Sequence, residues 1–325
     1  MRHVGIMFLD TLLTLAKKRI ERLESNINKK SHNNDTPASS AKRRDIPVNP
    51  LKSIRRRVAY YPVGARSLYT KVPQVERKIP NHVYQTWVRP VLPLLLALEV
   101  GRFRRLNHDY SFSFFDDQQM AAYMDSNYAG HPILRVFKDV RMPVLKADIW
   151  RYCILFREGG IYCDIKSTLT VPFRELLHDD FSELISFEGL KWRDLSFPGS
   201  YADPSIFLSS PPASIRNNLE YPDNTILNWM ICFEKGSPIL EEVINLIVRH
   251  SHFFRNRIFE NVSMAGNHLT GVIAFTQAVW MWMQKTGKSP RQCGINFSGH
   301  GIWKVHGMNY SESPHHSSRK NMALL

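Results

Sequence analysis

Three charged residues stand where chemistry can be done: Asp148, Arg151 and Asp164. Asp148 and Arg151 lie three apart in Lys146-Ala147-Asp148-Ile149-Trp150-Arg151, so on a helix they are neighbours. Asp164 follows Gly159-Gly160-Ile161-Tyr162-Cys163, and Lys166 comes two positions later. A carboxylate beside a guanidinium holds hydroxyls and phosphates through charge-assisted hydrogen bonds. The same pair also serves as an internal ion pair that orients a helix, and periodicity alone leaves both readings open. His300, His306, His315 and His316, near Gly299 and Gly301, supply imidazoles, and His300 is a candidate metal ligand; the competing reading is a glycine-rich loop and a frayed end. Other chemistries lack support. There is no G-x-S-x-G, no G-x-x-x-x-G-K and no C-x-x-C pair among Cys153, Cys163, Cys232 and Cys293.

The elements that must position these groups read as alternating strands and helices. His82 to Trp87 is β-rich and bounded by Pro80 and Pro90, which suits a short strand. Pro93 to Arg105 is helix-like, with Leu94, Leu95, Leu98 and Phe103 on one face; Tyr110 to Phe115 alternates and suits a second strand. Asp116-Asp117 opens another helix, with carboxylates where a helix N-terminus favours them. Pro143 fits a first helical position, Leu145, Ile149, Tyr152, Cys153 and Phe156 share a face, and Gly159-Gly160 stops the helix. Ile161-Tyr162-Cys163 is then a strand with Asp164 at its carboxyl end, where α/β sheets line their ligand crevices. Asp148 and Arg151 sit at the margin of the apolar face, a costly place unless paired or used.

The chain has 325 residues, 43% of them hydrophobic, which excludes a disordered chain and a disulfide-stapled miniprotein. Its net charge is +14, and up to Val75 there are 16 basic against 5 acidic residues, so +11 of that charge sits in the N-terminal arm. Within 1–28, Ile6, Leu9, Leu13, Ala16, Ile20, Leu23 and Ile27 form a helical seam of about three heptads. Three readings stay open for it: self-association, an amphipathic helix on an anionic membrane surface, or docking on the body. Residues 29–77 read as a basic flexible arm and 78–325 as the folded domain. The arm has no interleaved aromatics, so no nucleic-acid partner is expected. Few cysteines and no long apolar run point to a cytoplasmic protein, peripheral at a membrane; were the N-terminus an anchor, the Golgi lumen would be the alternative.

The central segment resembles the signature of glycosyltransferase family 32, the sugar transferases containing a DXD motif. The likeness rests on Lys146-Ala147-Asp148-Ile149-Trp150-Arg151 and Gly159-Gly160-Ile161-Tyr162-Cys163-Asp164-Ile165-Lys166. Weaker support comes from Ile79 to Trp87, Asn107-His108-Asp109-Tyr110, Asn228 to Pro238 and Thr270-Gly271. The resemblance implies a GT-A fold, a Rossmann-like mixed sheet flanked by helices. It also implies a retaining transfer of sugar from a nucleotide-sugar donor to a hydroxyl of a glycan or lipid-linked acceptor, in cell-surface polysaccharide synthesis. By that analogy Asp148, Arg151 and Asp164 are the catalytic set. Trp87 stacks on the base with Gln85 or Thr86 touching it, and Lys146, Gly159, Gly160, Tyr162, Lys166, Thr270 and Gly271 complete the donor site. The motif departs from its family at Lys166, where a second carboxylate is expected. A divalent cation, Mn2+ or Mg2+, held by Asp164 is therefore in doubt, because an ammonium cannot ligate it; two accounts stay open, that Lys166 points away while Asp164 and a group from the C-terminal part hold a metal, or that Lys166 itself neutralises the diphosphate. Two alternatives stand beside the transferase. One is a catalytically degenerate relative that binds carbohydrate or membrane. The other is a glycoside hydrolase using two of Asp148, Asp164, Glu188 and Asp203, whose facing the spacing does not show.

Overall fold

The computed structural model of the chain describes residues 60–62, 77–195, 210–302 and 322–325. The heptad segment 1–28, most of the basic arm, Asp203, His306, His315 and His316 lie outside the described residues. The described chain falls into two units. In the first, comprising 60–61 and 91–98, strand Tyr60–Pro62 pairs with Val91–Pro93, and Leu92 and Leu96 are buried. The second comprises 62, 77–90 and the described residues from 99 onward, and it carries the main sheet.

Its sheet is built from β1 (His82–Thr86), β2 (Ser111–Phe115), β3 (Gly160–Cys163), β4 (Glu183–Lys191), β5 (Asn224–Ile226), β6 (Met230–Phe233) and β7 (Gln292–Ile295). The order is β7-β4-β6-β3-β1-β2, with β5 also on β4. β1 runs parallel to β2 and β3, and β4 parallel to β7, whereas β6 runs antiparallel to both β3 and β4. This is the mixed α/β sheet that the strand–helix rhythm predicts.

The helices are α1 (Leu94–Leu106), α2 (Asp117–Asn127), α3 (Pro132–Asp139), α4 (Pro143–Glu158), α5 (Pro238–Phe254), α6 (Val262–Leu269) and α7 (Val272–Thr286). Their boundaries follow local chemistry. Asp116 caps α2 in a reciprocal box with Gln119, and proline occupies the first turn of α3, α4 and α5. Alternation along the strands loads both sheet faces. Tyr84, Tyr162, Ile231 and Phe233 join the larger core with α4, α5 and α7. Val83, Ile161, Cys163 and Cys232 join a second core with Phe103 and Phe173.

One expectation shifts. α4 is not an amphipathic helix with a wet margin: every residue from Asp148 to Leu155 is buried. The strand pairing β3–β1 and the helices α5 and α7 enclose it, so its charged pair lies in the interior.

Candidate active site

Sheet topology brings one edge together. β1 and β3 are parallel, with Tyr84 opposite Tyr162, so Trp87 and Asp164 leave the sheet on the same side. β6 runs the other way, with Cys163 opposite Met230, so its entering residue Trp229 stands beside Asp164; the Asp164 amide donates to the Trp229 carbonyl at 2.8 Å. β4 is antiparallel to β6, which returns Glu188 to that edge. Carboxyl ends of strands at a reversal of sheet order form the customary crevice of an open α/β sheet.

Arg151 is the hub. Its Nη2 lies 3.1 Å from Asp148 Oδ1 and 3.4 Å from Asp164 Oδ1. Its Nη1 donates to the Asn228 carbonyl at 2.6 Å, and its guanidinium lies 4.3 Å from the centre of the Tyr162 ring. The Tyr162 hydroxyl donates to Asp164 Oδ1. Asp148 and Arg151 are 6% and 4% exposed, whereas the Asp164 side chain is 30% exposed. The buried pair is thus a foundation, and Asp164 is the member that reaches solvent.

Asp148 is further held by Thr270, whose hydroxyl donates to Oδ2 at 3.0 Å, and by Asn228 at 3.4 Å. Burial pushes the Asp148 carboxyl up to about 6, against the opposing pull of Arg151, Thr270 and Asn228. For Arg151 burial works against the charge, but Tyr162, Asp164 and Asp148 outweigh it and raise its pKa. Tyr152 closes the network, accepting from Asn228 Nδ2 at 2.9 Å and donating to the Thr270 carbonyl at 3.0 Å.

A second acid belongs here. Glu188 is half-buried, and burial pushes its carboxyl up to about 7, moderated by hydrogen bonds with Trp229 and Thr225 and raised further by Asp164. The sequence reading named Glu188 only as one acid among several and passed over Trp229. The block from Asn228 onward carried the one usable signal.

The other expected residues divide. Trp87 is half-buried, and the Lys166 ammonium lies 5.0 Å from its ring centre, so these two share the edge with Asp164. Gln85 is buried; its Oε1 accepts from Arg104 at 3.2 Å and its Nε2 has no partner. Thr86 turns inward, donating to the Phe115 carbonyl at 2.8 Å. Lys146 lies over Phe137, 5.4 Å from the ring centre. Gly159 and Gly160 stand at the start of β3, the far end from Asp164. Gly271 precedes α7, where a Cβ would meet Asn267 at 2.9 Å. His300 Nδ1 bonds the Thr170 hydroxyl at 2.9 Å, where Gly301–Ile302 pairs with Thr168–Leu169. A cavity of about 700 Å³ lies at the other end of α4, lined by Tyr128, His131, Arg157 and Lys235, and no expected site residue borders it.

Residues 95–182 match the family described as "Glycosyltransferase sugar-binding region containing DXD motif". The chain is 34% identical over 173 residues to the initiation-specific alpha-1,6-mannosyltransferase of Schizosaccharomyces pombe, covering 52% of this chain and 39% of that protein. It is 26% identical over 187 residues to the Saccharomyces cerevisiae protein of the same name, covering 51% and 38%. It is 26% identical over 141 residues to inositol phosphoceramide mannosyltransferase 1 of S. pombe, covering 42% and 44%. The chain therefore spans less than half the length of these curated relatives. Among solved structures, the PaToxG glycosyltransferase aligns at 16% identity with a TM-score of 0.42, over 63% of this chain and 70% of that one. Among the described residues no helix is long and apolar enough to cross a membrane.

Proposed function

We propose that this chain carries a glycosyltransferase domain of the family 32 type and that it transfers a mannosyl group from a nucleoside-diphosphate donor to a hydroxyl of a glycan or glycolipid. The observation that carries the reading is the convergence of Asp164, Trp87 and Lys166 on one sheet edge above the buried Asp148–Arg151 pair. Mannose is chosen because the relatives above are named for it.

The chemistry needs a polarised sugar, a stabilised leaving group and a fixed geometry. The bond between the anomeric carbon and the diphosphate breaks, the acceptor oxygen forms the new one, and the acceptor proton passes to the departing phosphate or to water. Asp164, held in place by Tyr162 and Arg151, accepts a sugar or ribose hydroxyl. Asp148 and Arg151 act beneath it: fully buried and hydrogen-bonded, they orient Asp164 and set its field. Trp87 offers a ring face to the nucleotide base. Glu188, with Trp229, borders the same edge and accepts from a sugar hydroxyl. The transfer retains the configuration of the anomeric carbon, and the basic arm holds the domain against anionic lipid headgroups.

The direct test is incubation of the full chain with a panel of GDP-mannose, UDP-glucose and UDP-galactose, with mannosyl and inositol-phosphate acceptors. Turnover with the mannose donor, together with an α-configured product by NMR, is the expected result. Binding of the panel without turnover would assign a degenerate transferase. Release of free sugar from a glycan with no nucleotide present would assign a hydrolase.

A further inference from the structure

The family's motif closes on a second carboxylate, and in this chain that position is Lys166. An ammonium has three donors and no lone pair to offer a cation. One oxygen of the remaining carboxylate is engaged: Asp164 Oδ1 accepts from Tyr162 and lies 3.4 Å from Arg151 Nη2. Among the described residues no group of three or more His, Cys, Asp or Glu is placed to hold an ion. His300, the other candidate ligand, is bonded to Thr170. The described residues do not fit a divalent cation.

The charge balance points to what replaces it. Exchanging a carboxylate for an ammonium changes the local charge by two units, and so does binding a divalent cation to a carboxylate motif. The Lys166 ammonium therefore presents an incoming diphosphate with about the same net field as a metal-loaded acidic motif, at a site of reduced dielectric where such a charge is strongly felt. Its location is suitable. It stands over Trp87, which closes β1 beside the end of β3. A lysine stem is long and flexible enough to move its ammonium from a ring face to a phosphate oxygen without backbone motion.

Resting on the transferase reading above, we infer that Lys166 takes the place of the divalent cation: it neutralises the nucleoside diphosphate of the donor, so donor binding needs no metal. During transfer Lys166 stays protonated and hydrogen-bonds the phosphate oxygens as the bond to the anomeric carbon breaks and negative charge gathers on the leaving group.

The test is calorimetric titration of the metal-stripped full chain with GDP and with UDP, first in EDTA and then with excess Mn2+. Either nucleotide is expected to bind in EDTA, with a Kd changed less than about twofold by Mn2+. Lys166→Gln is expected to weaken binding in EDTA about 10-fold or more, equivalent to roughly 1.4 kcal/mol. Lys166→Arg, which keeps the charge, should retain most of the affinity, and Lys166→Asp should bind only when Mn2+ is added. The unliganded melting temperature of each variant shows whether it folds. Wild-type binding that appears only with Mn2+ overturns the inference while leaving the transferase reading intact, and so does Lys166→Gln binding as tightly as wild type in EDTA. Failure of the wild type to bind either nucleotide under both conditions overturns the transferase reading itself.

Discussion

The two ends of β3 carry the two halves of one sequence motif, and they are held for different reasons. At the start, Gly159 and Gly160 have φ of +69° and +106°. A Cβ on Gly160 would lie 2.6 Å from the His82 carbonyl oxygen, and one on Gly159 would lie 2.7 Å from the Lys235 amide. These glycines let three backbone segments close together, so that end is about space. At the finish, Asp164 rests on Tyr162 and Arg151 and is partly open to solvent, so that end is about charge. One motif thus joins a tightly packed turn to a charged, partly open end, separated by the length of a four-residue strand.

Arg151→Ala tests the comparison hardest, because Arg151 belongs to both kinds of role. Its loss leaves Asp148 buried without its counter-charge, which costs about 3–5 kcal/mol. A fall in melting temperature of roughly 10 °C is expected by calorimetry, with loss of nucleotide affinity in the molecules that stay folded. A variant that melts normally would show that the pair carries no structural load.

Gly160→Ala should come next, with about 3 kcal/mol lost to the steric conflict and to the positive φ. Nucleotide affinity, measured below the melting transition, should stay within about twofold of wild type. An equal loss of affinity and stability would erase the distinction between the two ends. Asp164→Asn is the mirror experiment. Turnover should fall about 100-fold, near 2.7 kcal/mol, while the melting temperature moves by no more than about 2 °C.

The smallest effect concerns Glu188. Burial holds its folded pKa at about 7, above the ordinary value of 4.5, so the native state binds the proton more tightly than the unfolded chain. That contribution to stability is complete below about pH 4.5 and is lost as pH rises through about 7. Glu188→Gln has no such proton to lose. Its melting temperature relative to wild type should therefore rise between pH 5 and pH 8, by a few degrees. A flat difference across that range would place Glu188 in open solvent, away from the chemical end.

Much of the frame was legible beforehand. The strand expected over His82 to Trp87 is β1 at His82–Thr86, the helix expected from Pro143 to the double glycine is α4, and Asp116 caps α2 as its carboxylate suggested. Asp148 and Arg151 were visible as neighbours, but their depth was not, since a helical wheel reports which residues share a face and not what covers the remaining faces. Glu188 carried no local mark because β4 reaches the site edge only through its antiparallel pairing with β6. Thr86 and Lys146 were expected at the donor; the Thr86 hydroxyl donates to the Phe115 carbonyl and the Lys146 ammonium lies over the Phe137 ring.

Taken alone, the order of amino acids determined the run of elements, their caps and the acid at the end of β3, because periodicity, proline and glycine geometry and end charges act over a few residues. Tertiary structure alone decided that one guanidinium would serve two carboxylates from different elements, that Asn228, Thr270 and Glu188 would join them, and that Lys166 would lie beside Trp87. The reason is that the tertiary fold brings together residues far apart along the chain, such as Asp148 and Thr270 at 122 positions, and no local pattern encodes that closure.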